Sequence, residues 1–323
     1  MKMVRRVLPL VAALAVLFPA VTPRANALDK LRAGKAVAVD WAFLPLDVGQ
    51  KVGIYKKYGI DLDIISFAGD AKLIQGFNAD SIDVGLASGP AMAFSVKGAD
   101  ALAVAAFDGP PRNFAVIVNA DSPLKSVADL KGKLLAVTTT GSLTEWLAKR
   151  VALKEGWGAA GIRTVALGAP TAEIAALRTR QVDGVVVVTQ LGYVLEAKKQ
   201  GRILTTLESF APHFHAHVIE ARRELIADKP QVLKRFLKAF FASIAYMKTH
   251  KEQTGEIAQH VLGQDAAVAG RTYDNEIGSF IPDGRFDPQA IATLKESFIA
   301  TGMLAETPPD DKLYTTRFVP VKP

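Results

Sequence analysis

The chain has 323 residues, 39 basic against 32 acidic, with 50% hydrophobic residues, 22% charged residues and no cysteine. That composition excludes a disordered, collagen-like or disulfide-stapled chain, and the missing thiol excludes a cysteine nucleophile, a thiolate zinc site and an iron–sulfur cluster. The formal charge of +7 raises nucleic acid as a partner until the basic residues are located.

Lys2, Arg5 and Arg6 precede an apolar run from Val7 to Phe18, followed by Pro19, Pro23 and the small-residue signature Ala25-Asn26-Ala27. This pattern predicts a secretory signal peptide at residues 1–27, cleaved after Ala27 and too short to span a bilayer core of about 30 Å. Its removal leaves 35 basic against 32 acidic residues, a charge of +3. The expectation is a soluble exported monomer with no nucleic-acid partner.

From Lys35 onward, short apolar runs alternate with helical segments. A strand over Ala36–Val39, a helix over Val48–Tyr58, a strand over Leu62–Phe67, a helix over Ala71–Ala79 and a strand over Ile82–Ala87 make one series. Leu134–Thr138, a helix over Leu143–Glu155, Thr164–Leu167, a helix over Thr171–Arg180 and the continuous run Gly184–Val188 make a second. Gly59-Ile60 with Ile82-Asp83-Val84-Gly85 is echoed by Gly161-Ile162 with Val182-Asp183-Gly184-Val185, as two copies of one lobe would be. Phe114–Val118 and His213–Ile219 read as two extended crossovers forming a double hinge. In the tail, Asp228 is expected to cap a helix opened by Pro230, with Leu233, Phe236, Leu237, Phe240, Phe241 and Ile244 on one face. Asp287-Pro288 starts a last helix over Gln289–Ala300, ended by Gly302.

Five motifs, in order, are Val52–Leu62, Ser81–Gly85, Asp121–Lys133, Asp228–Val232 and Asp283–Pro288. On these residues the chain resembles the periplasmic solute-binding proteins of ABC importers in the nitrate/sulfonate/taurine group, a group whose relatives bind thiamine-pyrimidine precursors and aromatic acids. The resemblance implies an α/β, two-lobed periplasmic-binding-protein fold (type II-like), each lobe a mostly parallel sheet flanked by helices, with two crossover hinge strands. Lobe one would comprise 28–116 and 216–323, and lobe two 117–215. It implies a periplasmic protein that closes around a small organic anion and hands it to an ABC permease in the inner membrane, without cofactor, metal or catalysis.

The richest candidate site is Thr138-Thr139-Thr140-Gly141-Ser142, where a strand ends in hydroxyls and a glycine just before a helix. Free N–H groups and the positive helix end suit an anion, although a Ser/Thr cap serves any helix; the resemblance places ligand-anion contacts here. Across the cleft, Trp41 and Phe43 could stack on a ligand or fill the core, and Gly69, Asp70, Ser88 and Gly89 end parallel strands, where open α/β sheets bind ligands. Asp108 and Arg112 flank the first hinge, with Arg112 as a candidate cleft cation. Pro170, Thr189 and Gln190 complete the set on lobe two. Taurine and alkanesulfonate binders of the group carry a tryptophan and an acid where this chain has Val188-Thr189-Gln190, which argues for a ligand with an anionic head and a neutral, bulkier body. His213, His215 and His217 have a metal-like spacing but lack a completing carboxylate. An enzyme on the same fold and a sensor partner of a membrane receptor remain as other readings; G-x-S-x-G, H-E-x-x-H, a P-loop and G-x-G-x-x-G are all missing.

Overall fold

The computed structural model describes residues 28–322; the signal-peptide expectation for residues 1–27 lies outside the described residues. Two five-stranded sheets organise the chain. In order come β1 (Asp29–Lys35), α1 (Leu44–Lys51), α2 (Ile54–Lys57), β2 (Ile60–Ser66), α3 (Asp70–Asn78), β3 (Val84–Ser88), α4 (Met92–Val96) and β4 (Leu102–Asp108). The second series is β5 (Phe114–Asn119), β6 (Leu134–Val137), α5 (Leu143–Lys154), β7 (Arg163–Ala166), α6 (Pro170–Arg178), β8 (Gly184–Val188), α7 (Thr189–Ala197) and β9 (Gly201–Thr206). The tail is β10 (His217–Ala221), α8 (Arg223–Asp228), α9 (Pro230–Thr249), α10 (Lys251–Leu262), α11 (Ala266–Glu276) and α12 (Pro288–Ala300).

The sheet orders are β2-β1-β3-β10-β4 and β7-β6-β8-β5-β9. In each, one strand runs against the rest: β10 is antiparallel to β3 and β4, and β5 is antiparallel to β8 and β9. Each reversed strand arrives directly after a crossover from the other sheet, 109–113 before β5 and 207–216 before β10. The expected crossover segments therefore enter the sheets as interior strands, and a boundary after Val116 falls inside β5, all of which belongs to the second sheet. β3, β8 and β10 are buried along their whole length, as strands covered on both faces must be.

The first strand is Asp29–Lys35, and Ala36–Val39 is the loop that follows it, contrary to the expected strand there. Charged residues hide this strand in the sequence, and tertiary partners satisfy them: Arg32 pairs with Asp83 at 2.6 Å, and the nearly buried Lys35 pairs with Asp47 at 3.0 Å. The expected helix over Val48–Tyr58 is two helices, because Gly53 takes a left-handed φ of 76° between them. Asp228 ends α8 rather than capping α9, whose first residue is Pro230, a residue with no N–H to satisfy. Asp287 does cap α12, accepting from the Gln289 N–H at 2.9 Å. α9 buries Phe236, Phe240 and Phe241 against α1, α2 and β2, closing one face of the first sheet. Among the described residues no helix is long and apolar enough to cross a membrane.

Candidate functional site

The carboxyl ends of the parallel strands of both sheets face each other across one cavity. Ala36 and Val37 follow β1, Gly69 and Asp70 follow β2, and Ser88 ends β3; opposite them lie Thr138 after β6, Pro170 after β7, and Val187 and Val188 in β8. Asp40, Phe43, Phe114, Leu143, Thr144 and His217 complete the wall. The enclosed volume is about 30 Å³, room for roughly two waters, so this conformation is a closed one.

Three of the contacts between the lobes lie at these strand ends. The Leu143 N–H, at the start of α5, donates to Asp70 Oδ2 at 3.3 Å, the Ala71 N–H donates to Thr139 Oγ1 at 3.3 Å, and Gln190 Nε2 donates to the Val39 carbonyl. Gly69 makes the approach possible: its φ is 105°, and a Cβ there would lie 2.6 Å from Thr139 Cγ2.

Asp70 occupies the positive end of α5. Its Oδ1 accepts from the Ser88 N–H at 3.0 Å, and its Oδ2 accepts from Ser88 Oγ at 2.8 Å as well as from Leu143. Burial raises its pKa, and the Ser88 and Leu143 donors oppose that rise. Other donors of the expected anion loop also have intramolecular acceptors, since the Gly141 N–H donates to Glu145 Oε2 at 2.7 Å and the Glu145 N–H to Ser142 Oγ at 3.4 Å. Thr138 lines the cavity, Thr139 spans the cleft, and Thr140 is exposed away from it.

At the hinge side, His217 presents Nε2 to Asp40 at 3.2 Å and Nδ1 to Asp108 at 3.1 Å. Both ring nitrogens facing carboxylates makes the ring a doubly donating imidazolium. Burial works against that charge, but Asp40 and Asp108 outweigh it and push the pKa up to about 10. Glu276 of α11 accepts from Thr189 Oγ1 at 3.4 Å; its pKa is raised well above the carboxylate range by burial and then by Asp40 and Asp108. An acid is thus supplied from a distant helix beside Thr189, a position the sequence reads as neutral. Asn113 Nδ2 donates to Asp40 Oδ1 at 3.2 Å, which ties the first crossover to this cluster.

Several expected site residues stand elsewhere. Trp41 is core: it stacks on Phe280 with centroids 5.5 Å apart and meets Tyr273 edge-on at 6.0 Å, because the turn after Asp40 points it inward beneath α11. Arg112 is exposed and pairs with Glu208 at 2.9 Å, so it supplies no cleft cation. Gly89 is a packing position whose Cβ would lie 2.1 Å from the His215 carbonyl. Asp108, Ser142, Thr189 and Gln190 are buried around the cavity rather than on its wall. The three histidines separate: His213 is exposed, His215 accepts from the Asp287 N–H at 2.8 Å and is held by burial near a pKa of about 4, and His217 holds the carboxylates. Among the described residues no group of metal-ligating side chains forms. Asp40 and His217 are the functional positions sequence reasoning missed as partners; an aspartate at a parallel strand's exit was the available signal for Asp40.

A curated relative from Brucella abortus, named only as a binding protein, is 23% identical over 72% of this chain and 71% of its own length. The alkanesulfonate-binding protein SsuA of Xanthomonas axonopodis pv. citri, solved with MOPS bound, superposes with a TM-score of 0.75 at 22% identity, covering 87% of this chain and 95% of that one. A Candida albicans protein with the generic periplasmic binding protein fold gives 0.74 at 18% identity over 88% and 94%. The desulfurization enzyme DszB also shares the fold, with a TM-score of 0.62 at 15% identity over 90% and 97%. The expected two-lobed α/β fold is therefore present. The NMT1/THI5-like family model matches residues 41–254, and the chain belongs to that family.

Proposed function

We propose that this chain is the extracytoplasmic solute-binding component of an ABC importer, exported to the periplasm, which closes its lobes around one small organic molecule and presents the closed form to a permease. The observation that supports this most is the pairing of strand-end loops, Gly69, Asp70 and Ser88 against Thr138, Leu143 and Pro170, across a double crossover. Two lobes joined only through 109–113 and 207–216 can open and shut as bodies, and a solute that contacts both favours the shut state. The lobes are the two sheets with their helices, the tail helices α8 to α12 riding on the first and α11 also meeting α7 of the second.

An organic anion with a substantial apolar body is the ligand class that family and cleft together favour. The likeness to binding proteins supports binding over catalysis. Titration calorimetry against alkyl and aryl sulfonates, carboxylates, nitrate, bicarbonate and pyrimidines tests the reading. One class should bind with a stoichiometry of one and be recovered unchanged; chemical turnover of a bound compound would overturn it.

A further inference from the structure

A second, larger cavity of about 440 Å³ opens beside the cleft and shares Pro170 with it. It runs in the groove between α6 and α7 and is closed on the cleft side by Val39 and Phe67 of the first lobe. Its floor is apolar, formed chiefly by Ile174, Leu191, Val194 and Leu195. The volume falls within the roughly 300–1,000 Å³ of small-molecule sites.

The charge at its far end is one-sided. Arg178 ends α6 and Lys198 follows α7, both exposed at the groove, and no acid lines it among the described residues. Of the acids nearby, Glu196 pairs with Arg271 at 3.1 Å, Asp121 pairs with Arg180 at 2.5 Å, and Glu173 of α6 is buried off the groove with its pKa raised to about 8 by burial. At the cleft end no such excess of cations stands, the wall carrying Asp70 and an Asp40 paired with the His217 imidazolium. About nine helical residues, or some 13 Å, separate the two ends. A molecule lying along the groove is therefore oriented, with its negative end at the cations and its apolar body toward Pro170.

We propose that the groove between α6 and α7 is part of the solute site and seats the apolar body of an organic anion whose charged group meets Arg178 and Lys198. This rests on the solute-binding reading and adds where the ligand lies and which way it points. Because Val39 and Phe67 belong to the other lobe, a body filling the groove bridges both lobes and favours closure. The groove also offers a bulky body the room that the central cavity lacks.

The test compares naphthalene-2-sulfonate, methanesulfonate and 2-naphthylmethylammonium by titration calorimetry, with small-angle scattering to follow closure. Naphthalene-2-sulfonate should bind at least tenfold tighter than either of the others. Arg178→Gln combined with Lys198→Gln, both on the surface, should weaken it at least tenfold without changing the melting temperature. Unchanged affinity in that double variant, or a preference for the ammonium compound, overturns the proposal. If methanesulfonate alone binds and compacts the protein, the groove is ruled out while solute binding stands. If none of the three binds, the groove proposal falls, and the solute-binding reading falls with it only if the wider panel also fails.

Discussion

His217 is the residue on which the most charge depends. It lies between two buried carboxylates, and a neutral side chain there would leave Asp40 and Asp108 facing each other without a counter-charge. Removing one partner of a buried ionic cluster costs about 3–5 kcal/mol. His217→Gln should lose that much in urea unfolding, and a loss below about 1 kcal/mol would show that the imidazolium does not hold the cluster. Gly69 is the second decisive residue. In Gly69→Ala the new methyl meets Thr139 when the lobes shut and the φ of 105° strains the residue besides, so the variant should lose some stability and bind solute weakly, and adding Thr139→Ala should restore part of the affinity but not the stability. Gly69, Asp70, Ser88 and Thr138 were legible because each stands at the exit of a parallel strand, a position readable from hydrophobic runs alone. The Asp40–His217–Asp108 cluster was not, since its members come together only through the insertion of β10 beside β3 and β4. The partners of the anion loop were not legible for a similar reason, because its donors go to Asp70 from the opposite lobe and to Glu145 within its own helix.

Among the elements, β5 and β10 define the fold. Each is a reversed strand delivered by a crossover into the interior of a sheet, so the backbone ladders anchor the end of each crossover in the lobe it enters. The apolar content of both segments was readable, but their pairing partners are non-local. β1 was misread because Arg32 and Lys35 interrupt its apolar pattern, and only Asp83 and Asp47, brought in by tertiary structure, explain them. α9 shows the opposite case, a 3.6-residue apolar stripe strong enough to be read directly. Its Phe240 is fully buried and touches Phe107 and Phe241 with centroids 5.1 and 5.6 Å away. Phe240→Ala should cost about 3–5 kcal/mol in denaturant unfolding, since it empties a fully buried site under Phe107.

At the scale of the whole molecule, buried titratable groups set a direction for stability against pH. The pKa of His217 is pushed up to about 10, and those of Glu173 and Glu220 are raised to about 8 by burial, so the folded state holds protons the unfolded chain gives up. Their contribution is complete below the unfolded values and is lost as pH rises, from about 4.5 to 8 for the glutamates and from about 6.5 to 10 for the histidine. His215, held near about 4 by burial, acts oppositely, and its stabilisation is lost as pH falls from 6.5 toward 4. The melting temperature should therefore be highest near mildly acidic pH and fall between about pH 6 and 9, and Glu220→Gln should flatten that fall; a melting temperature that rises through this range would reverse the sign assigned to the cluster. Closure is the other whole-molecule property, because the proposed import role requires solute to shift two sheets joined by two crossovers from open to shut. Small-angle scattering of the wild-type protein and of Gly69→Ala, with and without saturating solute found by calorimetry, tests this most directly. The account predicts a smaller radius of gyration for the wild type on binding and no compaction for Gly69→Ala, whereas an unchanged wild-type radius with solute bound would contradict it.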